Sequence, residues 1–238
     1  MKKDHFLFII FFSLFIGPGL CGISHSLSDP KMYDVFRQDT LLDYQILFNG
    51  RIWRNLYYRV KEDQFLFSPE FLPGSLTISG RSFKDINIKY DIYNDEIIIP
   101  TNHGTLLQLN KEKVDSFNIT FQDKSYHFSK IREDSLKGFN GYLNVLYNGD
   151  TQLYVKYRKE ISLLAVEGKY DIFHQNHRIY IIKDNIVCQV NTRRELYKIL
   201  DEYKLEIRSF VKNNRLSVSI KKPESIVPVI QHYDRLSQ

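Results

Sequence analysis

Hydrophobic and polar positions alternate along much of the chain between residues 44 and 190, which predicts β-strands. In Ile86–Ile92, apolar or aromatic side chains occupy every second position, as in a strand with one face on a core and the other in water. The predicted strands are short, closely spaced and separated by turn residues. Antiparallel meanders are therefore favoured over parallel strands, which need long crossovers. The expected strands are Gln64–Phe67, Ser75–Ser79, Ile86–Ile92, Glu96–Ile99, Thr105–Leu109, Ser116–Gln122, Ser125–Ile131, Tyr142–Tyr147, Gln152–Tyr157, Lys169–Phe173 and Arg178–Ile182.

Two Asn-Gly pairs lie within this region, Asn49-Gly50 and Asn148-Gly149. Both are flanked by apolar and aromatic residues. Asn and Gly tolerate the positive φ angles of the tightest hairpin turns, so this pair is the strongest short-range indicator of a hairpin. We predict a hairpin turn at each pair.

The hydrophobic period changes near residue 192, where helix replaces strand. Thr192 and Glu195 match a capping box, in which each side chain accepts a hydrogen bond from a free backbone N–H of the other residue. Apolar residues then recur at three- and four-residue spacing, which predicts an amphipathic helix that ends near Asn213. We expect its apolar face to pack on the sheet. Its members are Leu196, Ile199, Leu200, Tyr203, Ile207, Phe210 and Val211. A second short helix is expected from Pro223 to Tyr233, limited by Pro228.

These patterns together predict a mainly β (α+β) fold. It would consist of antiparallel meander sheets or a half-barrel, with one or two amphipathic helices in a C-terminal segment of about residues 192–236. Because no Pro-, Gly- or Ser-rich linker interrupts residues 25–238, we expect a single β-rich domain there.

The first 24 residues have the pattern of a signal peptide. Lys2 and Lys3 precede an apolar run, Phe6–Ile16, which ends at Gly17-Pro18-Gly19. A helix of that length covers about half of a ~30 Å hydrocarbon core, so a permanent membrane anchor is disfavoured. Small residues favour cleavage near Ser24. The mature protein is therefore expected to be exported, either periplasmic or extracellular.

The two cysteines bear on anchoring and on disulfides. A lipid-anchored protein would carry an aliphatic residue three positions before its cysteine and a small residue directly before it. Cys21 instead follows Pro18 and Leu20, so we expect no lipid anchor. Cleavage near Ser24 would leave Cys188 alone and without an intramolecular disulfide. Cys188 is expected to be a small buried residue of a strand.

Charge is distributed in a way that argues against nucleic acid as a partner. Residues 25–182 hold 20 Lys and Arg against 20 Asp and Glu, whereas residues 183–238 hold 11 against 7. The sequence pI of about 9.0 therefore reflects a modestly basic C-terminal segment. Nucleic-acid binders instead cluster Lys and Arg on one surface.

Familiar catalytic motifs are missing from the sequence. It contains no Gly-x-Ser-x-Gly elbow, Walker loop, His-Glu-x-x-His or Cys-x-x-Cys. We therefore predict a protein that is not an enzyme, and assign it no catalytic residue, cofactor or metal site.

Two groups of side chains in the sequence have the chemistry to ligate a metal ion. His174 and His177 are expected in a loop between two strands, and with His103 they raise a zinc hypothesis. Histidines in polar turns are usually solvated, and zinc needs a third placed ligand. The crowded carboxylates of one hairpin, Asp91, Asp95 and Glu96, raise the hypothesis of calcium or of paired catalytic carboxylates. Ordinary turn chemistry explains that hairpin better.

Aromatic residues form the third group. The chain has 34 Phe, Tyr and Trp residues, and Trp53, Tyr57 and Tyr58 lie close together. Such clusters stack on sugars or peptides, but strands also favour aromatics for packing alone. The sequence does not separate these two roles.

Several short motifs resemble an uncharacterised group of exported bacterial envelope proteins. The motifs are Leu47-Phe48-Asn49-Gly50, Gly74-Ser75-Leu76-Thr77-Ile78, Tyr90-Asp91-Ile92-Tyr93-Asn94-Asp95-Glu96 and Val155-Lys156-Tyr157-Arg158-Lys159. The resemblance implies an envelope location and adds no catalytic residue, because the group has no assigned reaction.

Three functional hypotheses follow. The first is a non-catalytic envelope protein, a β-rich binding or assembly module whose partner is unknown. The second is a carrier of an apolar, lipid-like ligand, which requires a large continuous apolar cavity. The third is a hydrolase with dispersed catalytic residues, which requires a polar cleft with convergent ionisable groups. In each case we expect no nucleic acid as partner and at most a peripheral association with a membrane.

Overall fold

The computed structural model describes residue 43 and residues 45–130 and 141–238, and the expected signal peptide, with its cleavage region and Cys21, lies outside them. Strands account for 49% and helices for 21% of the structure, which confirms the mainly β class. The strands of the described residues are β1 (Gly50–Ile52), β2 (Leu72–Ile78), β3 (Arg81–Asp91), β4 (Glu96–Pro100), β5 (Leu106–Leu109), β6 (Val114–Phe121), β7 (Lys124–Lys130), β8 (Tyr142–Asn148), β9 (Gln152–Val166), β10 (Tyr170–Lys183) and β11 (Ile186–Val190).

These strands form one open antiparallel sheet. Its order is β1-β5-β4-β3-β2-β6-β7-β8-β9-β10-β11, so β1 and β11 are its edges. Strands β2 to β5 form one meander and β6 to β11 form another, and the two meet where β2 pairs with β6. The short connections are those expected for antiparallel neighbours, which need no crossover. The predicted meanders are therefore confirmed.

Aromatic side chains fill the core where the two meanders meet. Phe117 of β6 and Phe128 of β7 stack with their ring centroids 4.8 Å apart. Tyr90 of β3 and Tyr142 of β8 contact Phe117 edge to face, at 5.0 and 5.1 Å. All four side chains are buried. Close-packed rings of this kind contribute both apolar burial and edge-to-face attraction, so this part of the interior is occupied by side chains.

The apolar stripe of the C-terminal segment packs on the sheet as predicted, but the segment that carries it is divided into three short elements. They are α1 (Arg193–Ile199), a 3₁₀ turn (Asp201–Tyr203) and α2 (Lys204–Asn213). The capping box of Thr192 and Glu195 is present. The expectation of one helix is wrong because Leu200 leaves helical geometry, with φ −97° and ψ 30°. Leu196, Leu200 and Ile207 are nevertheless fully buried in the main hydrophobic core.

The second predicted helix is a 3₁₀ turn (Pro223–Ile226) followed by α3 (Val227–Leu236). Pro228 was expected to limit this helix, but it lies in the first turn of α3, where a missing N–H costs nothing. Near the end of α3, the buried Asp234 carboxylate accepts a hydrogen bond from the Thr151 N–H at 3.1 Å. This bond ties the helical segment to the Asn148-Gly149 turn between β8 and β9, where the predicted hairpin is confirmed.

Two predictions near the start of the described chain are wrong. Asn49-Gly50 makes no hairpin turn, because Gly50 begins β1 and pairs with Leu109 of β5. Any Cβ at Gly50 would collide with the carbonyl of Gln108, so the glycine serves a close approach of two strands. Gln64–Phe67 is not a strand and makes only an isolated bridge at Phe65, because the chain turns away at Phe67, where φ is +67°.

The longest hairpin, β9–β10, corrects three strand predictions at once. Strand β9 continues past Tyr157 to Val166, and Lys169–Phe173 and Arg178–Ile182 are parts of the single strand β10. The neighbouring strand β8 pairs with β9 only as far as Val155, and β11 pairs with β10 only from Ile179 onward. Residues 158–175 therefore extend beyond both neighbouring strands, and we call them the arm.

The arm is braced near its middle by the segment before β2. Lys61 donates its backbone N–H to the Asp171 carbonyl at 2.8 Å and accepts the Phe173 N–H at 3.1 Å. The Phe173 ring contacts Tyr57 and Tyr93 edge to face. A paired hairpin with a buried aromatic residue near its middle is a defined support for the neighbouring exposed residues.

Candidate functional site

The carboxylates predicted from sequence meet at the turn between β3 and β4. Asp91, the last residue of β3, is fully buried. Its Oδ1 accepts the backbone N–H groups of Tyr93 and Asn94, and its Oδ2 accepts the Asn94 amide, each at 2.9 Å. Burial raises the pKa of Asp91, and these hydrogen bonds oppose the rise. Asp91 therefore closes the turn with both of its oxygens.

Asp95 lies between two lysines. Its Oδ1 is 2.6 Å from Lys156 Nζ, and its Oδ2 is 2.6 Å from Lys111 Nζ. The Tyr90 hydroxyl also donates to Asp95. Burial favours the neutral acid, but the two ammonium groups outweigh it and hold the pKa of Asp95 below its ordinary value. Asp95 is therefore an ionised carboxylate with both oxygens engaged.

The same charges connect distant parts of the sheet, and we call Tyr90, Asp95, Lys111, Tyr142 and Lys156 the Asp95 network. Lys156 Nζ also donates to the Tyr142 carbonyl at 3.0 Å, and the Tyr142 hydroxyl donates to the Lys111 carbonyl at 3.2 Å. Burial raises the pKa of both tyrosines, so both hydroxyls stay protonated donors at neutral pH. The network joins β3, β8, β9 and the link between β5 and β6.

The backbone before β8 approaches the Asp95 carboxylate so closely that a glycine is required there. Gly141 precedes β8 with φ +97°, and a side chain there would collide with the Asp95 carboxylate. A residue without Cβ accepts this backbone conformation and leaves room for the carboxylate. The network is thus built into the backbone as well as into the side chains.

The third predicted carboxylate, Glu96, faces the first strand. Its Oε1 is 3.6 Å from the Arg51 guanidinium. Burial raises the pKa of Glu96, and the nearby Asp91 adds to the rise. Since Asp91 and Asp95 are engaged with the protein's own donors, the cluster holds the turn and the sheet. Within residues 45–130 and 141–238, no group of three or more His, Cys, Asp or Glu is placed to hold a metal ion.

The histidines are not brought together as the zinc hypothesis requires. His174 and His177 lie inside β10 rather than in a loop, and a three-residue spacing points them to opposite faces of the strand. His174 is exposed, whereas a ring nitrogen of His177 is 2.9 Å from the Ile220 carbonyl. His103 lies in the turn before β5. The polar run was misinterpreted as a loop because its partners across the hairpin, Arg158–Glu160, are equally polar.

The three clustered aromatics have two different roles. Trp53 packs on Phe65, with ring centroids 6.0 Å apart, and Tyr57 packs against Tyr93 at 5.0 Å. These two residues therefore contribute to packing. Tyr58 is 70% exposed, and the Arg59 guanidinium lies over its ring, with the central carbon 5.4 Å from the ring centroid.

Tyr58 belongs to an exposed apolar region at the end of the arm. Leu163 is 76% exposed and Leu164 is 60% exposed, and Tyr170 is 44% exposed. Tyr58, Leu164, Lys169 and Tyr170 line one open groove of about 520 Å³. We call Tyr58, Leu163, Leu164, Lys169 and Tyr170 the tip surface. Large apolar side chains that share one exposed region commonly mark contact sites, whereas isolated ones do not.

The tip surface was not predicted from sequence. Ile161–Val166 is an almost continuous apolar run, which by itself indicates a buried strand. The available indicator was the polarity of the chain on the other side of this run. Residues 158–160 and 174–176, which pair with one another, are polar or charged, so a strand that continues past them has little core to face.

Cys188 lies in β11 and pairs with Ile181, so its placement in a strand is confirmed. It is half-buried rather than buried, because β11 is an edge strand with a neighbour on one side only. Cys188 carries a free thiol.

Comparison with protein-family models, with curated proteins and with solved structures gave no match. The resemblance to exported envelope proteins therefore stays a prediction, and so do export and the periplasmic or extracellular location. In the part of the chain that the structure describes, no helix is both long enough and apolar enough to cross a membrane.

Proposed function

We propose that this chain is an exported, non-catalytic envelope protein, a binding or assembly module that contacts its partner through the tip surface. The observation that carries the proposal is the exposure of two adjacent leucines and Tyr170 on the braced arm, together with Tyr58, which lines the same groove as Leu164 and Tyr170. Burying a large apolar side chain is favourable by about 1.5–3 kcal/mol of free energy, which is not gained while the side chain stays in water. Contact with a partner would recover part of that free energy.

The interior gives less support to a carrier of an apolar ligand. Where the two meanders meet, the space that an acyl chain would need is filled by Tyr90, Phe117, Phe128 and Tyr142. The groove at the tip surface is open to solvent and is lined by charged as well as aromatic residues.

The carboxylate cluster gives little support to a hydrolase. A general acid and a general base need lone pairs or protons that can reach a substrate. The oxygens of Asp91 accept hydrogen bonds from the turn backbone and from Asn94. The oxygens of Asp95 accept hydrogen bonds from two lysines and a tyrosine. The groups that would do chemistry are the groups that hold the sheet together.

A photo-reactive amino acid at position 163 tests the proposal in intact cells. We expect a covalent adduct with an envelope component at position 163. The matched control is position 205 in α2, where Leu205 is 74% exposed but belongs to the helical segment. Absence of any adduct at position 163, or the same adducts at positions 163 and 205, would contradict a binding role for the tip surface.

A further inference from the structure

A β-bulge presents the two leucines of the tip surface. Tyr170 pairs with Val166 and Ile172 pairs with Ser162, so residues 163–165 together oppose Asp171 alone. Leu164 has φ +50°, and its N–H donates to Asp171 Oδ1 at 2.9 Å. In a regular strand, adjacent side chains point to opposite faces, whereas a bulge re-aims them. Here the bulge leaves adjacent Leu163 and Leu164 both exposed.

Cations line the groove that contains Tyr58, Leu164 and Tyr170. The groove beside the leucines is lined by Arg59, Lys61 and Lys169, and Asp171 is the carboxylate that lines it with them. Because Asp171 Oδ1 is bound to the Leu164 N–H, part of that negative charge is already engaged in the bulge. Lys61 Nζ also lies 4.7 Å from the centroid of the Tyr170 ring. The groove thus complements an anionic partner.

We propose that the tip surface docks on an anionic lipid surface, with Leu163 and Leu164 entering the boundary between headgroups and acyl chains. This inference rests on the proposed binding role of the same surface. Tyrosine is favoured at membrane interfaces because its ring is apolar and its hydroxyl remains wet. Lysine and arginine beside it attract lipid phosphates.

A lipid surface fits the shape of the tip better than an acidic protein does. A stable protein interface buries about 800 Å² on each partner in a shape-complementary patch. Leu163 lies outside the groove, on the outer half of a hairpin that extends beyond its neighbouring strands. Exposed apolar side chains on a two-stranded arm can enter a soft apolar medium and need no matching cavity, which is how interfacial segments bind membranes.

Sedimentation with vesicles tests this inference on the purified protein, with the same N-terminus in every variant. We expect the wild type to bind vesicles of phosphatidylglycerol mixed with phosphatidylcholine more tightly than vesicles of phosphatidylcholine alone. The difference should shrink in high salt, which screens the attraction. The double variant Leu163→Asn, Leu164→Asn should bind at least about tenfold more weakly because it loses two inserted side chains.

The replacements suit the backbone, since asparagine adopts the positive φ of position 164 more readily than leucine does. The matched control Leu205→Asn removes an equally exposed leucine from α2 and should leave binding unchanged. Lys169→Glu should weaken binding to the anionic vesicles about tenfold, whereas Lys198→Glu, with the same change of net charge, should not. All variants should keep the wild-type circular dichroism spectrum.

Three outcomes would overturn the inference. The first is a wild type that binds neither kind of vesicle. The second is a tip variant that binds as well as wild type, and the third is a loss of vesicle binding in the control variants equal to that in the tip variants. If vesicles are ignored while position 163 crosslinks to a protein in cells, the lipid surface is wrong but the binding role stands. If vesicles are ignored and position 163 gives no adduct, both proposals fail.

Discussion

The Asp95 network and the tip surface both contain lysines and tyrosines, which are largely buried and paired in the network but exposed at the tip surface. In the network, two lysines face a shared carboxylate at 2.6 Å, and two tyrosines are buried. At the tip surface, cations line an open groove, and tyrosines and leucines are exposed. Charges that are buried must be paired, whereas exposed charges remain available to a partner. The clustered carboxylates therefore stabilise the fold, and the tip surface is the candidate for contact.

The largest expected effect concerns leucines in the two settings. Leu200 belongs to the helical segment and is fully buried, so Leu200→Asp should lower the free energy of unfolding by about 4 kcal/mol or more. Leu163→Asp, at the tip surface, should change it by less than about 0.5 kcal/mol. Thermal and urea unfolding of both variants check this. A wild-type melting temperature for Leu200→Asp would mean that the helical segment is not part of the core.

The next effect comes from removing the charge of the network. Asp95→Asn leaves the Lys156 and Lys111 ammonium groups without their carboxylate, and we expect a loss of about 3 kcal/mol of stability. Glu112→Gln is the control, because it breaks a lysine pair whose carboxylate is exposed. That change should leave the melting temperature nearly the same. Equal melting temperatures for the two variants would show that the network does not stabilise the fold.

The pH dependence of stability sharpens the same point. The pKa of Asp95 is lower in the folded protein than in the unfolded chain, so its contribution is fully present above about pH 4 and is lost as the pH falls through the folded value. The stability difference between wild type and Asp95→Asn should therefore shrink in acid. Urea unfolding at several pH values measures it. A difference that stays constant down to the lowest pH would contradict the ionised state of Asp95.

The smallest expected effect is at the sheet edge. Cys188 is half-buried in β11, so Cys188→Ala should cost about 1 kcal/mol or less, as measured by urea unfolding. A cost well above that would mean that the edge strand is packed more tightly than its exposure indicates.

Much of the fold was predictable because local patterns and tertiary contacts agree. The alternation in Ile86–Ile92 matches the burial of Ile88, Tyr90 and Ile92, and the capping box begins α1 where it was expected. The predictions fail where a strand that is distant in sequence determines the local structure. Gly50 was assigned to a turn, but its neighbour in the sheet is Leu109, which is far along the chain. A short turn motif carries no information about such a partner.

The candidate site was less predictable, for two physical reasons. The sequence brought Asp91, Asp95 and Glu96 together, but the charges that neutralise Asp95 come from Lys111 and Lys156, which are 16 and 61 residues away. The tip surface depends on a bulge at residues 163–165, and a one-residue change of register decides whether a leucine faces core or water. Apolar periodicity alone assigns such residues to the core.

Thiol labelling in intact envelopes tests the binding role of the tip surface most directly. In a Cys21→Ser, Cys188→Ala background, Leu163→Cys and Leu205→Cys would each carry one thiol at an exposed position. We expect both variants to react with a water-soluble maleimide when purified. In the envelope, position 163 should be protected and position 205 should still react. Equal labelling of the two positions in the envelope would contradict the claim that the tip surface is covered by a partner.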